Sequence, residues 1–249
     1  FTNNDKRWGV KMAEQVLDYT GTMQWQHGST WYRVVGNLKS KMTPAVVIHG
    51  GPGAPHNYVL GIVHLIAMSG RPVIVYDQIG CGQSTHLQDK PSEFWSVELF
   101  KEELNLLLKE LKVSKKYILV GQSWGGILSF AHAVGKPKGL KGLVIANSLA
   151  SVPKWLPEIE RLVSELPAVH RKAVQKGLKE SNYSSPEFEA ANDCFTVRHL
   201  CRVPMTSDVL ESFGQLAVNP SVYGAMWGPV EFAPIGSLNT WSVEDQLKN

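Results

Sequence analysis

The fold of this chain is decided by the stretch Tyr117-Ile118-Leu119-Val120-Gly121-Gln122-Ser123-Trp124-Gly125-Gly126. An apolar run typical of a buried strand ends at Gly121, and an apolar run of helical type begins at Ile127. The G-x-S-x-G pattern between them is that of a nucleophile elbow, a tight strand-to-helix turn that strains the backbone of its serine. Gly121 and Gly125 have no Cβ atoms, so neighbouring chain can pass close to them. This context predicts that Ser123 is a nucleophile and not an ordinary turn serine.

Runs of strand type and helix type alternate on both sides of the elbow. Such alternation predicts an α/β protein with a mostly parallel sheet and helices on both faces. The predicted strands are Ala45–Ile48, Pro72–Tyr76 and Leu140–Ala146, the predicted helices are Tyr58–Met68 and Glu93–Leu111, and Thr22–Val35 has the pattern of an antiparallel hairpin.

The pattern changes after Ser148. From Pro153 to Phe232 the sequence has helical periodicity, frequent prolines and no run as apolar as the earlier strands. We expect a helical cap inserted over the sheet, which gives a core at 1–150, a cap at 151–235 and a segment at 236–249 that returns toward the core. The predicted cap helices are Glu158–Leu166, Ala168–Leu178, Glu187–Leu200 and Ser207–Leu216.

The composition is that of an ordinary globular protein. Of the 249 residues, 43% are hydrophobic and 19% charged, and the net charge is +3 with the basic residues scattered. These values argue against a nucleic-acid or membrane partner. Three cysteines with no regular spacing predict neither a disulfide framework nor a metal site, and they favour a reducing, cytoplasmic location. The polar start at Phe1–Asp5 has no apolar segment of signal-peptide type.

A second glycine-rich loop, His49-Gly50-Gly51-Pro52-Gly53, follows the strand at Ala45–Ile48. Glycines let backbone N–H groups face a cavity without obstruction. Acyl transfer to a serine needs such donors where the tetrahedral oxyanion forms. We therefore expect the N–H groups of Gly51 and Trp124 to form an oxyanion hole beside Ser123.

Three motifs together resemble one family. H-G-G-P-G at 49–53, D-Q-x-G-x-G-x-S at 77–84 and G-Q-S-W-G-G at 121–126 are similar to the proline iminopeptidases, which are α/β-hydrolases. Segments 226–232 and 236–241 resemble the end of that family's cap. The resemblance implies an α/β-hydrolase fold and a serine aminopeptidase that releases an N-terminal residue, usually proline, from small peptides without a cofactor or metal. Amino-acid amides or esters of the same class are alternative substrates, and the sequence leaves the oligomeric state open.

Candidate substrate-binding residues lie mainly in the segment 226–232 and in the cap. A protonated amino terminus in a closed cavity needs a carboxylate partner, for which Glu231 is the candidate and a plain surface glutamate the alternative. Glu187 and Glu189 are weaker candidates. Trp227 is predicted to bind substrate, with Trp124 and Phe232 as further apolar walls, and plain packing of the cap is the alternative role of these aromatic residues. We expect Asp77 to hold its loop by bonding backbone N–H groups, and we expect Cys81 not to be a nucleophile.

The catalytic base and its acid are not found in the sequence. The histidines after Ser123 are His132, His170 and His199, which fall in the elbow helix and the cap. The family places its Asp after a further strand beyond the cap and its His on a loop beyond that strand. We therefore expect a chain that is truncated before the last core strands and is inactive as given. A non-catalytic binding protein of the same fold is a further alternative.

Overall fold

The computed structural model describes residues 17–248, and the prediction made for Phe1–Asp5 lies outside this range. Within it a six-stranded sheet has the order β1-β2-β4-β3-β5-β6. The strands β1 and β2 form an antiparallel hairpin, and β2 pairs antiparallel with β4. The pairs β3–β4, β3–β5 and β5–β6 are parallel, as predicted. The strands are β1 Asp18–Trp25, β2 Gly28–Val35, β3 Ala45–Ile48, β4 Val73–Tyr76, β5 Tyr117–Gln122 and β6 Leu140–Ala146.

The central strands are apolar throughout because both of their faces are covered. In β3, the side chains of Val46 and Ile48 belong to a large core on one face of the sheet. The helices that contain Leu104 and Leu128 contribute to the same core. Val47 belongs to a smaller core on the other face. This two-sided burial explains why the sequence shows continuous apolar runs instead of alternation. The helices of this part are α1 Leu60–Met68, α2 Val97–Glu110 and α3 Trp124–Ala133, and the segment His56–Val59 before α1 is a 3₁₀ turn.

The cap contains helices only. They are α4 Val152–Ser164, α5 Ala168–Glu180, α6 Pro186–Phe195, α7 Ser207–Val218 and α8 Ser221–Met226. One prediction needs correction, because the helix predicted for Glu187–Leu200 changes to a π-helical turn at Thr196–Leu200. The short helix α8 was not predicted. An aromatic cluster of Phe188, Phe195 and Phe232 forms the core of the cap.

The segments that enter and leave the cap lie side by side. Val152 donates its N–H to the carbonyl of Trp241, and Val243 donates to the carbonyl of Ala150, both at 2.9 Å. This pairing agrees with a return segment after the cap, although the predicted boundaries themselves stay a prediction. Among residues 17–248, no helix has both the length and the apolar character needed to cross a membrane.

Candidate active site

Four loops meet at one edge of the sheet, where the parallel strands end. They are residues 49–54 after β3, 77–84 after β4, Ser123 after β5 and 147–149 after β6. Ligand sites of open α/β sheets lie outside the carboxyl ends of the strands. The loops singled out in the sequence therefore converge on the place where a site is expected.

Ser123 sits in the strained turn that its motif predicts. Its φ of 55° and ψ of −124° are unusual for a residue with a side chain. The Ser123 N–H donates to the carbonyl of Ala146 at 3.0 Å, and its own carbonyl accepts from Gly126 at 2.8 Å, the first bond of α3. The serine is thus held between β6 and the amino-terminal end of α3, whose partial positive charge favours a developing anion.

The two glycines of the elbow are required by close packing. A Cβ at Gly121 would lie 2.2 Å from the carbonyl oxygen of Gly125, and a Cβ at Gly125 would lie 2.1 Å from that of Ile48. Real Cβ atoms do not approach backbone oxygens so closely. Any side chain at either position would force β3, β5 and α3 apart, so the elbow depends on both glycines.

The glycine loop after β3 lies directly against Ser123. A Cβ on Gly50 would be 2.8 Å from the Cβ of Ser123, and Gly51 has a left-handed φ of 102°. Among residues 17–248, the backbone N–H groups of Gly51 and Trp124 donate to no other protein group. Both residues line the same cavity as Ser123. Two free donors beside the predicted nucleophile are what an oxyanion hole requires.

The cavity at Ser123 has a volume of about 110 Å³. Its wall contains the predicted nucleophile Ser123, the two predicted oxyanion donors, and the substrate candidates Trp227 and Glu231. Among the lining residues that the structure describes, Glu231 is the only one with an ionisable side chain. The lining residues are Gly51, Ser123, Trp124, Ile127, Asn147, Ser148, Leu149, Trp155, Trp227 and Glu231.

Glu231 is half-buried and held by two cap residues. Its Oε2 accepts a hydrogen bond from the Tyr223 hydroxyl at 3.2 Å, and its backbone carbonyl accepts from Trp227 Nε1 at 3.1 Å. Burial raises the pKa of Glu231, and the hydrogen bond from Tyr223 partly opposes this shift. Oε1 accepts no hydrogen bond from the described residues. The carboxylate therefore has a free oxygen beside an otherwise uncharged cavity.

The aromatic walls differ in part from the prediction. Trp227 lines the cavity and packs against Trp155, with ring centroids 5.3 Å apart. Trp124 directs its indole into the core, where Nε1 donates to Gln78 Oε1 at 2.8 Å. Phe232 packs in the aromatic cluster of the cap and does not line the cavity, so its predicted role as a wall is wrong. Trp155 was not predicted as a wall residue, because its place in the cavity follows from how α4 packs.

The other carboxylates proposed for the substrate lie elsewhere. Glu187 and Glu189 are exposed on α6, and Glu187 lines a separate groove between α5 and α6. Neither residue belongs to the wall of the cavity at Ser123. Of the carboxylates considered, the structure brings only Glu231 to the predicted nucleophile.

Asp77 holds its loop as predicted. Its Oδ1 accepts from the N–H of His56 at 2.8 Å, and its Oδ2 accepts from the N–H of Gln83 at 2.9 Å. Burial acts to raise the pKa of Asp77, but the hydrogen bond and charge of His56 outweigh it, and the pKa lies below its ordinary value. The ionised carboxylate therefore ties the loops after β3 and β4 together.

A buried cluster behind the loops was not predicted from sequence spacing. His49, Asp77 and Cys81 bring donor atoms within 4.8 Å of one another, as a metal site would. These donors are already used, because His49 Nε2 accepts the N–H of Gln78 at 3.0 Å and Cys81 Sγ donates to the Gln78 carbonyl at 3.3 Å. Burial lowers the pKa of His49 to about 4 and raises that of the Cys81 thiol. We interpret the cluster as support for the loop, with an unreactive thiol.

None of the three histidines that follow Ser123 in the sequence belongs to the cavity wall. His132 bonds the hydroxyl of Tyr117 through Nε2 at 2.6 Å, and burial lowers its pKa to about 4. His170 lines the groove between α5 and α6, and His199 packs on Phe195. Among residues 17–248, no imidazole lines the cavity at Ser123. The described residues bring the predicted oxyanion donors and the predicted nucleophile Ser123 together, but they place no imidazole in the cavity wall.

Comparison with known proteins agrees with this architecture. Residues 43–246 match the family model described as alpha/beta hydrolase fold. The chain is 43% identical to the solved structure of VinJ, with a TM-score of 0.88, and 40% identical to that of a proline iminopeptidase from Mycobacterium smegmatis, with a TM-score of 0.83. Each comparison covers 92% of this chain and 77% of the other. The chain therefore shares the fold of these two structures over most of its length.

Curated relatives give the same result. A proline iminopeptidase of Lactobacillus delbrueckii subsp. lactis is 35% identical over 247 residues, which cover 96% of this chain and 79% of that protein. Another, from Lactiplantibacillus plantarum, is 34% identical over 221 residues, or 88% of this chain and 76% of that protein. Identity at this level, over most of both chains, extends well beyond the three motifs. The chain belongs to the proline iminopeptidase family of α/β-hydrolases.

Proposed function

We propose that this chain carries the acylation site of a serine hydrolase that releases an N-terminal residue, preferably proline, from small peptides. One observation carries the proposal: the five residues selected from the sequence all line one cavity of about 110 Å³. They are Gly51, Ser123, Trp124, Trp227 and Glu231. The names of the relatives support the choice of a prolyl group.

The proposed chemistry assigns one task to each part of the wall. Ser123 Oγ attacks the substrate carbonyl, and the N–H groups of Gly51 and Trp124 donate to the oxyanion. One such donor is worth about 3–4 kcal/mol. The free Oε1 of Glu231 binds the protonated amino terminus, and the pair of Trp155 and Trp227 covers the apolar part of the acyl group.

The proposal includes low turnover by the 249-residue chain itself. A serine hydroxyl needs a general base, and none is found among the described residues of the cavity wall. Without the base, binding and the oxyanion hole still give about 10³–10⁴-fold acceleration over water. Deacylation needs the same base. We therefore expect a reactive ester to acylate Ser123 slowly and the acyl-enzyme to accumulate.

The absence of an imidazole from the described cavity wall also favours a second candidate, a binding protein that holds an aminoacyl group without chemistry. An esterase or amidase that acts on other small acyl groups is the third candidate. The three differ in what they do with an activated ester. A binding protein forms no adduct, and an esterase accepts acyl groups that lack an amine.

The test exposes the chain to p-nitrophenyl esters of L-proline, L-alanine, N-acetyl-L-proline and acetate, with intact-protein mass spectrometry as the readout. The expected result is a prolyl adduct that forms faster than the others and is absent from the Ser123→Ala variant. Faster acetylation would favour the esterase. Adducts that are absent, or that persist in Ser123→Ala, would refute the proposed acylation site.

A further inference from the structure

Tyr58 connects the two halves of the proposed oxyanion hole. Its hydroxyl oxygen accepts the N–H of Gly50 at 2.5 Å, and the same hydroxyl donates a short hydrogen bond to Gln122 Oε1. Burial raises the pKa of Tyr58 far above neutrality, so the phenol keeps the proton that it donates. The side chain therefore acts as one bridge between the loop after β3 and the end of β5.

The bonded groups are next to the proposed reacting groups. Gly50 directly precedes Gly51, and Gln122 directly precedes Ser123. A Cβ on Gly50 would lie 2.7 Å from the Tyr58 hydroxyl and 3.0 Å from Gln122 Oε1, so the bridge is packed without a gap. Because oxyanion donors must be placed within tenths of an ångström, a bridge at this point sets their separation.

The cap holds the backbone of the same tyrosine. Ser212, a fully buried residue of α7, accepts the N–H of Tyr58 at 3.2 Å and donates to the carbonyl of Pro55 at 3.2 Å. At the end of α7, Asn219 Nδ2 donates to the carbonyl of Gly80 at 2.9 Å. The helix α7 is thus bonded to the segment that follows the glycine loop at 49–53 and to the loop at 77–84, through residues far away in sequence.

We propose that Tyr58 is a positioning residue for the oxyanion hole and that Ser212 makes this positioning depend on a seated cap. This inference rests on the proposed function. With α7 seated, Ser212 holds the 3₁₀ turn at His56–Val59, and Tyr58 holds Gly50 against Gln122. When α7 lifts, the two bonds of Ser212 break and the Gly51 donor loses its fixed place. Acylation is then fast only while the cap is closed over a bound acyl group.

The test compares acylation of Ser123 by L-prolyl p-nitrophenyl ester in four variants, with the affinity for L-prolinamide measured in parallel. Tyr58→Phe is expected to slow acylation about 10- to 100-fold, less than the loss of one donor outright, with the affinity within about threefold. Ser212→Ala is expected to slow acylation several-fold. Ser212→Thr keeps the hydroxyl and is expected to acylate at about the rate of the parent chain. Tyr76→Phe is the matched control, because that buried hydroxyl has no partner among the described residues.

Hydrogen exchange of the peptide 49–58 gives a second readout that needs no chemistry. Ser212→Ala is expected to speed exchange there, while the exchange of β3 stays unchanged. Equal acylation rates in Tyr58→Phe and the parent chain would overturn the inference and leave the proposed function standing. A parent chain that is not acylated at Ser123 would overturn both. If Tyr58→Phe does not fold, the variants Ser212→Ala and Ser212→Thr test the inference instead. The coupling would be refuted if Ser212→Ala had the same acylation rate and the same hydrogen exchange at 49–58 as the parent chain.

Discussion

Replacing Glu103 by glutamine is expected to change how the stability of this protein depends on pH. Glu103 lies on α2 and is fully buried. Its Oε1 accepts from the Thr30 hydroxyl at 2.5 Å and from the N–H of Ile79 at 2.8 Å, while Oε2 has no partner among the described residues. Burial, only partly opposed by these bonds, raises the pKa of Glu103 to about 8.

The sign follows from the raised pKa. The folded state keeps the Glu103 proton up to about pH 8, whereas an unfolded glutamate releases it near its ordinary value of 4.5. The proton's contribution to the free energy of unfolding is therefore fully present below pH 4.5 and is lost as the pH rises to 8. At about 1.4 kcal/mol per pH unit, the loss is on the order of 4 kcal/mol. Glutamine cannot ionise, so the Glu103→Gln variant does not lose this stability as the pH rises.

The assay is urea unfolding of the parent and of Glu103→Gln at pH 5 and pH 8.5. The difference between the two proteins cancels the titration of all other groups. We compare the free energy of unfolding of Glu103→Gln with that of the parent at each pH. The difference, variant minus parent, is expected to be several kcal/mol larger at pH 8.5 than at pH 5. Glu110→Gln is the matched control, because Glu110 is an exposed residue of the same helix. An equal pH dependence in parent and Glu103→Gln would refute a neutral, buried Glu103.

Two further substitutions test the elbow and the cavity. Gly125→Ala places a Cβ 2.1 Å from the Ile48 carbonyl oxygen. It is expected to lower the free energy of unfolding by more than about 3 kcal/mol in urea melts. In the control Gly61→Ala the new Cβ has open space, so this variant is expected to be neutral or stabilising. Glu231→Gln is expected to weaken L-prolinamide binding at least about tenfold in calorimetry, because it removes the only charge of the described wall, whereas Glu187→Gln on the other groove leaves it unchanged. A Gly125→Ala variant as stable as the parent would contradict the account of the elbow. A Glu231→Gln variant that binds L-prolinamide as tightly as the parent would contradict the account of the cavity.

The parts of the fold that local sequence determines were predictable. The strand β3 matches its predicted bounds, because a strand buried on both faces is written as a continuous apolar run. The helix α8 was missed, because six residues between Pro220 and Trp227 are too few to show a helical period. The π-helical turn at Thr196–Leu200 was missed as well, since its apolar spacing is compatible with a continued α-helix.

The candidate site divides in the same way. Ser123 and Gly51 could be found because the elbow and the glycine loop are short motifs whose backbone geometry follows from adjacent residues. Trp155 could not, because its position beside Trp227 results from the packing of one cap helix against another segment. The bond from Tyr58 to Gln122 spans 64 residues and leaves no mark on either local pattern. Contacts of this kind become visible only when the chain is folded.

The central claim is that Ser123 is the nucleophile of a cavity that selects acyl groups with a free amine. The most direct measurement is the ratio of Ser123 acylation rates with L-prolyl and N-acetyl-L-prolyl p-nitrophenyl esters, each corrected with Ser123→Ala. The account predicts that the free-amine ester reacts at least about tenfold faster, since only this ester carries an ammonium for the Glu231 carboxylate to bind in the proposed site. It also predicts that this preference collapses in Glu231→Gln. Equal rates for the two esters, or a preference that survives in Glu231→Gln, would contradict it.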